Sequence, residues 1–297
     1  MLPQFVELKL ITAFRGKEMW KVEAPRSKPT ILPASKVRAK CCLFICICRL
    51  THLTKTAICD KIFPHYEIRS EIMKKIATYT FFAVEAVLFC TFVTMDIMAV
   101  SGSNYVKFAA IALVGAFSLM AGKEKDNRIV TAALLFTVAA DVCLVLLNKY
   151  FWGVPMFAIV QVCYATRFSF LSGKPLVGEI LKRTVPAVIL GGLAAYFLDP
   201  KIGLTVFYAW CFGVNFVHGF ELQILKPSKR HLIFCIGLTL FACCDCCVGI
   251  TNLQPSFMTE QMIRNAAVAT WIFYLPSQIL ILSTTNAFKL EKKEKKA

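Results

Sequence analysis

Asp141 and Asp245 are the residues whose chemistry stands out. Each is a lone carboxylate near the middle of a long apolar run: Asp141 in TAALLFTVAADVCLVLL, residues 131–147, and Asp245 in HLIFCIGLTLFACCDCCVGIT, residues 231–251. An ionisable side chain is costly inside a membrane-spanning helix and marks a functional position by default. One buried Asp is as readily a structural hydrogen-bonding group as a functional one. Two at matching places in two runs point to work that needs a pair, either acid–base catalysis or proton transfer.

The composition defines what must hold them. Of 297 residues 57% are hydrophobic and the mean hydropathy is +0.62, far too apolar for a soluble domain of this length. The net charge of +16 does not indicate nucleic acid, because the cations fall between the apolar runs and in the first seventy-five residues, where membrane topology accounts for them. Nine of the fourteen cysteines lie inside apolar spans, where Cys acts as a small hydrophobe.

Residues 1–72 are basic and contain no convincing span; their apolar block CCLFICICRL is too short to cross a bilayer. At Met73 the chain turns to MKKIATYTFFAVEAVLFCTFV, which is how many membrane proteins open, so 1–72 read as a poorly ordered, dispensable extension. Residues 73–288 read as an all-α, polytopic membrane bundle of eight transmembrane helices, and 289–297 as a basic cytoplasmic tail. The expected spans are 76–100, 105–121, 129–147, 152–171, 185–198, 203–225, 231–251 and 266–284. Loops after even spans carry nine cations, among them Lys174, Lys182 and Arg183, against four after odd spans: Lys107, Lys149, Lys201 and Arg264. That bias predicts both termini in the cytoplasm, with the plasma membrane as the expected location.

This orientation puts the acids at one level, each about six residues, or roughly 9 Å, from the outer end of its span. A similar count along spans four and eight reaches Gln161 with Tyr164, and Tyr274 with Gln278. Each pair shares a helix face and should turn inward, because polar groups in lipid need partners. Asn215 in span six is also polar.

The motif AADVCLVLLNKYFWGVPMFAIVQVCYATRF joins an acid to F-x-G and then to F-x-x-x-Q-x-x-Y. Together with the second acid in LTLFACCDCCVGI and the closing YLPSQILILST, it resembles the YhhN-like, lysoplasmalogenase-related integral membrane family over about residues 76–285. Ala140 stands where that family often has Gly, Cys244 where it often has Ser, and Gln161 where many members carry His. The first two exchanges keep a small residue, whereas Gln161 cannot act as an acid or base.

The resemblance implies hydrolysis of the vinyl-ether bond of lysoplasmalogens to a fatty aldehyde and a glycerophospho-base. It implies a lysophospholipid substrate taken from membrane lipid, with no cofactor and no metal. Protonating the alkene carbon gives an oxocarbenium ion that water captures, which needs one carboxyl carrying a proton and one ionised. On this reading Asp141 and Asp245 are the catalytic pair, and Gln161, Tyr164, Asn215, Tyr274 and Gln278 bind substrate or water. The other class is a proton-coupled transporter or lipid-binding membrane protein, which also needs buried carboxylates.

Other polar positions have simpler readings. Cys243, Cys244, Cys246 and Cys247 bracket Asp245 and could be imagined as metal ligands, but small packing residues explain them. Arg167 and His218 are expected to snorkel to the interface or meet lipid phosphate. Glu85 in span one sits at a depth that fits the acid layer less well. Pro155, Pro186 and Pro276 are expected to kink or start helices.

Overall fold

The computed structural model describes residues 72–253 and 258–288. The expected amino-terminal extension, apart from residue 72, and the tail 289–297 lie outside the described residues. Eight helices are long and apolar enough to cross a membrane, and no strand occurs among the described residues. They are α1 Ile72–Ile97, α2 Ser103–Ser118, α3 Lys125–Asp141, α4 Tyr150–Ser172, α5 Leu176–Phe197, α6 Pro200–Leu225, α7 Lys229–Leu253 and α8 Glu260–Ser283. A 3₁₀ turn, Leu119–Ala121, extends α2, and a π turn, Val142–Leu146, extends α3. The protein is therefore an all-α, multi-pass membrane bundle.

Local chemistry sets the helix ends. Gly173 closes α4 at φ 79°, a left-handed conformation that costs glycine nothing. The Asp199 side chain accepts from the Lys201 N–H at 2.7 Å, and Pro200 opens α6 at the position where its missing N–H is no loss.

Packing repeats with a shift of four helices. α3 lies on α4 as α7 lies on α8; α2 lies on α3 as α6 lies on α7; α4 meets α6 as α8 meets α2. Residues 104 apart correspond: Asp141 with Asp245, and Gly115 with Gly219. A Cβ on Gly115 would stand 2.6 Å from Val138 in α3, and one on Gly219 3.0 Å from Leu238 in α7, so each glycine admits its neighbour at the same crossing. The bundle is thus two similar halves, α1–α4 and α5–α8, running in the same sense.

The largest departure from the expected spans is α5, which begins at Leu176 rather than at 185. The Arg183 guanidinium donates to the Glu179 carboxylate at 2.9 Å and to Asn215 Oδ1 at 2.7 Å, so the two charges are paired inside the bundle and the helix continues through them. Lys182 and Arg183 therefore belong to α5 and not to a loop; Lys182 stays exposed, whereas Arg183 is buried.

Arg167 and His218 also differ from expectation. Arg167 does not snorkel: it is 1% exposed, donates to both oxygens of Asp126 at 2.8 and 3.0 Å, and lies 4.5 Å from the centre of the Phe234 ring. Arg230 stands 3.5 Å from the same Asp126, and donates to Asn286 at 3.1 Å and to the Thr284 carbonyl. This network joins α3, α4 and α7 to the segment after α8. His218 Nε2 lies 3.5 Å from Glu179 and 3.6 Å from Glu221, so its partners are protein carboxylates.

Candidate active site

Asp141 is the last residue of α3 before the π turn. Such turns widen the helix locally and recur at functional positions. The Asp141 side chain is buried and accepts a hydrogen bond from the Tyr274 hydroxyl of α8 at 2.7 Å. Asp245, on α7 and half-buried, accepts one from the Tyr208 hydroxyl of α6 at 2.9 Å. Two acid–tyrosine pairs result, and neither carboxylate is hydrogen-bonded to the other.

Aromatic rings join the two pairs. The Phe157 ring of α4 lies 6.2 Å from the Tyr208 ring and 6.4 Å from the Tyr274 ring, centre to centre. Phe241 of α7 adds contacts at 5.9 Å to Phe157 and 5.8 Å to Tyr274. Cys244, one residue before Asp245, is buried as well. The two acids thus flank one aromatic-walled centre that is poor in other charge.

A polar layer lies one helical turn further along α4 and α8. Gln161 follows Phe157 by four residues, as Gln278 follows Tyr274, and both glutamines are fully buried. Asn215 donates to the Gln161 carbonyl at 2.9 Å and to its side-chain oxygen at 3.0 Å, while accepting from Arg183. Asn215 therefore holds Gln161 in place, and its hydrogen bonds are used within the protein. Gln161 Nε2, the Tyr164 hydroxyl and Gln278 Oε1 have no protein partner although all three are buried.

Of the residues expected from sequence, Tyr274 reaches an acid directly. Gln161, Tyr164 and Gln278 form the layer beyond it, and Asn215 braces that layer. Tyr208, Phe157 and Phe241 were not expected. The available signal for Tyr208 was depth, because it and Asp245 lie eight residues from the same end of α6 and α7. Among the described residues, no group of three or more His, Cys, Asp or Glu side chains is placed to hold a metal ion. Around Asp245, Cys244 is buried and Cys246 exposed, so the cysteines do not converge. A separate apolar groove of about 390 Å³ runs along α4, α5 and α6, lined by Ala187, Gly191, Gly203 and Phe207.

Fold and site together define an integral membrane protein with an acid in each of two related halves, both set by tyrosines around a shared aromatic wall. The chain belongs to the YhhN family, whose family model matches residues 102–285. No curated protein and no solved structure matches it.

Proposed function

We propose that the protein is an intramembrane hydrolase of the lysoplasmalogenase type, cleaving the vinyl ether of a lysophospholipid with Asp141 and Asp245 as its acid and base. The observation that carries this reading is the pair of separately held carboxyls around one aromatic centre. One carboxyl gives its proton to the alkene carbon of the vinyl ether, leaving an oxocarbenium ion at the carbon bonded to oxygen. The faces of Phe157 and Phe241 favour that cation, as ring faces favour cations generally. Water adds to the oxocarbenium carbon while the second carboxylate takes a water proton, giving a hemiacetal. As the hemiacetal collapses, its hydroxyl gives a proton back to the first carboxylate and the second carboxyl gives its proton to the departing glycerol oxygen, which releases the fatty aldehyde and a free alcohol and restores both acids. The hydrogen bonds from Tyr274 and Tyr208 aim the two carboxyls, and Gln161 and Gln278 offer polar atoms for water or the lipid head. The apolar groove along α4–α6 suits an alkyl chain.

The test is aldehyde release from a lysoplasmalogen by purified protein. Asp141→Asn and Asp245→Asn should each lower the rate by about 10²–10⁴, the range that general acid–base groups supply. Undiminished release from either variant would remove the mechanism.

One feature favours a proton-coupled transporter: the two-half repeat, which many transporters share. Reconstituted vesicles separate the readings, because a transporter acidifies or alkalinises the lumen on adding substrate and a hydrolase does not.

A further inference from the structure

Arg167 and Arg183 turn the same guanidinium edge to a neighbour, with different results. Nε and Nη2 of Arg167 reach the two oxygens of Asp126 at 2.8 and 3.0 Å, so that edge is complete. Nε of Arg183 reaches Asn215 Oδ1 at 2.7 Å. An amide has one oxygen where a carboxylate has two, and Arg183 Nη2, buried beside Nε, is left without a partner.

The same amide sets Gln161. An arginine carries donors only, so it draws the Asn215 oxygen toward itself and turns the Asn215 nitrogen to Gln161, at 2.9 Å from the main-chain carbonyl and 3.0 Å from Oε1. Gln161 meets it with its side-chain oxygen, and Nε2 remains, buried and unpartnered. Asn215 thus leaves two N–H groups free, one on α4 and one on α5, and only an acceptor can complete them. An aspartate at 215 would consume both, gripping Nε and Nη2 as Asp126 does and drawing in the Gln161 nitrogen.

Their place along the bundle indicates the acceptor. Asn215 lies seven residues beyond Tyr208 on α6, roughly 10 Å from the level where Tyr208 holds Asp245. On the other side of that level, Gly203, Leu204 and Phe207 line the apolar groove. Charge leans the same way: at the donor end Lys174, Lys182 and Arg183 pair with two carboxylates, Glu179 and Glu221, with His218 between them. The order along α6 is apolar groove, acid, donors. In a vinyl-ether lysophospholipid the order is alkyl chain, alkene, phosphate, the phosphorus standing seven bonds from the carbon that takes the proton, about 9 Å when extended. On the hydrolase reading above, we infer that Gln161 and Arg183 form the subsite for the lipid's phosphodiester, with Asn215 the positioning residue that leaves both donors free for it. The alkyl chain then lies toward the α5–α6 turn and the head toward the opposite end of the bundle.

The experiment measures binding, in detergent, of a non-hydrolysable 1-O-alkyl lysophospholipid and of the phosphate-free 1-O-alkylglycerol with the same chain. Wild type should bind the phosphate form about a hundredfold more tightly, about tenfold for each charge-assisted hydrogen bond. Gln161→Met removes one donor while Asn215 keeps its bond to the main-chain carbonyl, so the fold stands and the ratio falls to about tenfold. Asn215→Asp keeps the shape, and should bring the ratio to within about threefold. Both variants should hold the alkylglycerol as wild type does, a split that a merely structural role would not give. A wild-type ratio in either variant, or equal loss of both ligands, overturns the subsite; if Asn215→Asp fails to fold, Gln161→Met decides. Inorganic phosphate should leave the melting temperature where it is, and a rise equal to the phospholipid's would make this a site for free anion and overturn the lipid assignment. If no vinyl ether is cleaved, the hydrolase reading fails, yet a ratio that drops in the variants still supports the subsite. Aldehyde release together with equal binding of the two lipids keeps the hydrolase reading and overturns the subsite.

Discussion

Replacing Tyr274 by Phe removes one oxygen and almost nothing else. The ring remains packed against Trp271 at 5.3 Å, Phe241 at 5.8 Å and Phe157 at 6.4 Å, so the fold has no reason to collapse. The loss is the 2.7 Å hydrogen bond to Asp141. A buried acceptor deprived of its donor costs about 1–3 kcal/mol, and Asp141 is 3% exposed with no other side-chain donor, which argues for the upper half of that range. In rate, each 1.4 kcal/mol of lost positioning is about tenfold, so aldehyde release should fall by about thirty- to a hundred-and-fiftyfold with a lower melting temperature. The double variant with Asp141→Asn shows through which group the tyrosine acts. If Tyr274 works by aiming Asp141, Tyr274→Phe adds little to Asp141→Asn. Full additivity of the two effects, or wild-type kinetics in Tyr274→Phe alone, refutes this reasoning.

Tyr208→Phe should slow the reaction less than Tyr274→Phe, because Asp245 is half-buried where Asp141 is fully buried, so its lost hydrogen bond leaves a less enclosed acceptor; the two variants assayed side by side give the comparison. Arg167→Met leaves the buried Asp126 with Arg230 alone, at 3.5 Å, and should lower stability in denaturant melts by less than the about 3–5 kcal/mol that a fully stranded buried charge costs, with Asp126→Leu in the same chain restoring part of it. Gly203→Ala puts a Cβ 2.5 Å from the Gly191 carbonyl, a backbone atom that cannot swing aside, and should cost about 1–3 kcal/mol. Gly192→Ala, on the same helix as Gly191 with nothing within 4 Å, should leave the melting temperature unchanged or slightly raised.

The spans and both acids were legible because each rests on local composition: an apolar run has one reading, and a carboxylate inside it draws notice at once. Tyr274 was legible because it shares a face with Gln278. Tyr208 was not, since a tyrosine in an aromatic-rich span looks like packing until Asp245 is seen beside it. Arg167 and the start of α5 were hidden for a related reason. A charge near a span end reads as a loop or interface residue, and only its distant partner makes it an interior one. Asp126 lies 41 residues from Arg167, and Asn215 lies 32 from Arg183.

The two acid–tyrosine pairs are wired differently along the chain. Asp245 and Tyr208 lie on successive helices of one half, 37 positions apart, and close on each other as soon as that hairpin inserts. Asp141 must wait for a tyrosine made 133 positions later, in α8. A nascent chain therefore carries its first acid without its tyrosine until four more helices, α4 to α7, have been made, and the arrival of α8 closes the first acid–tyrosine pair.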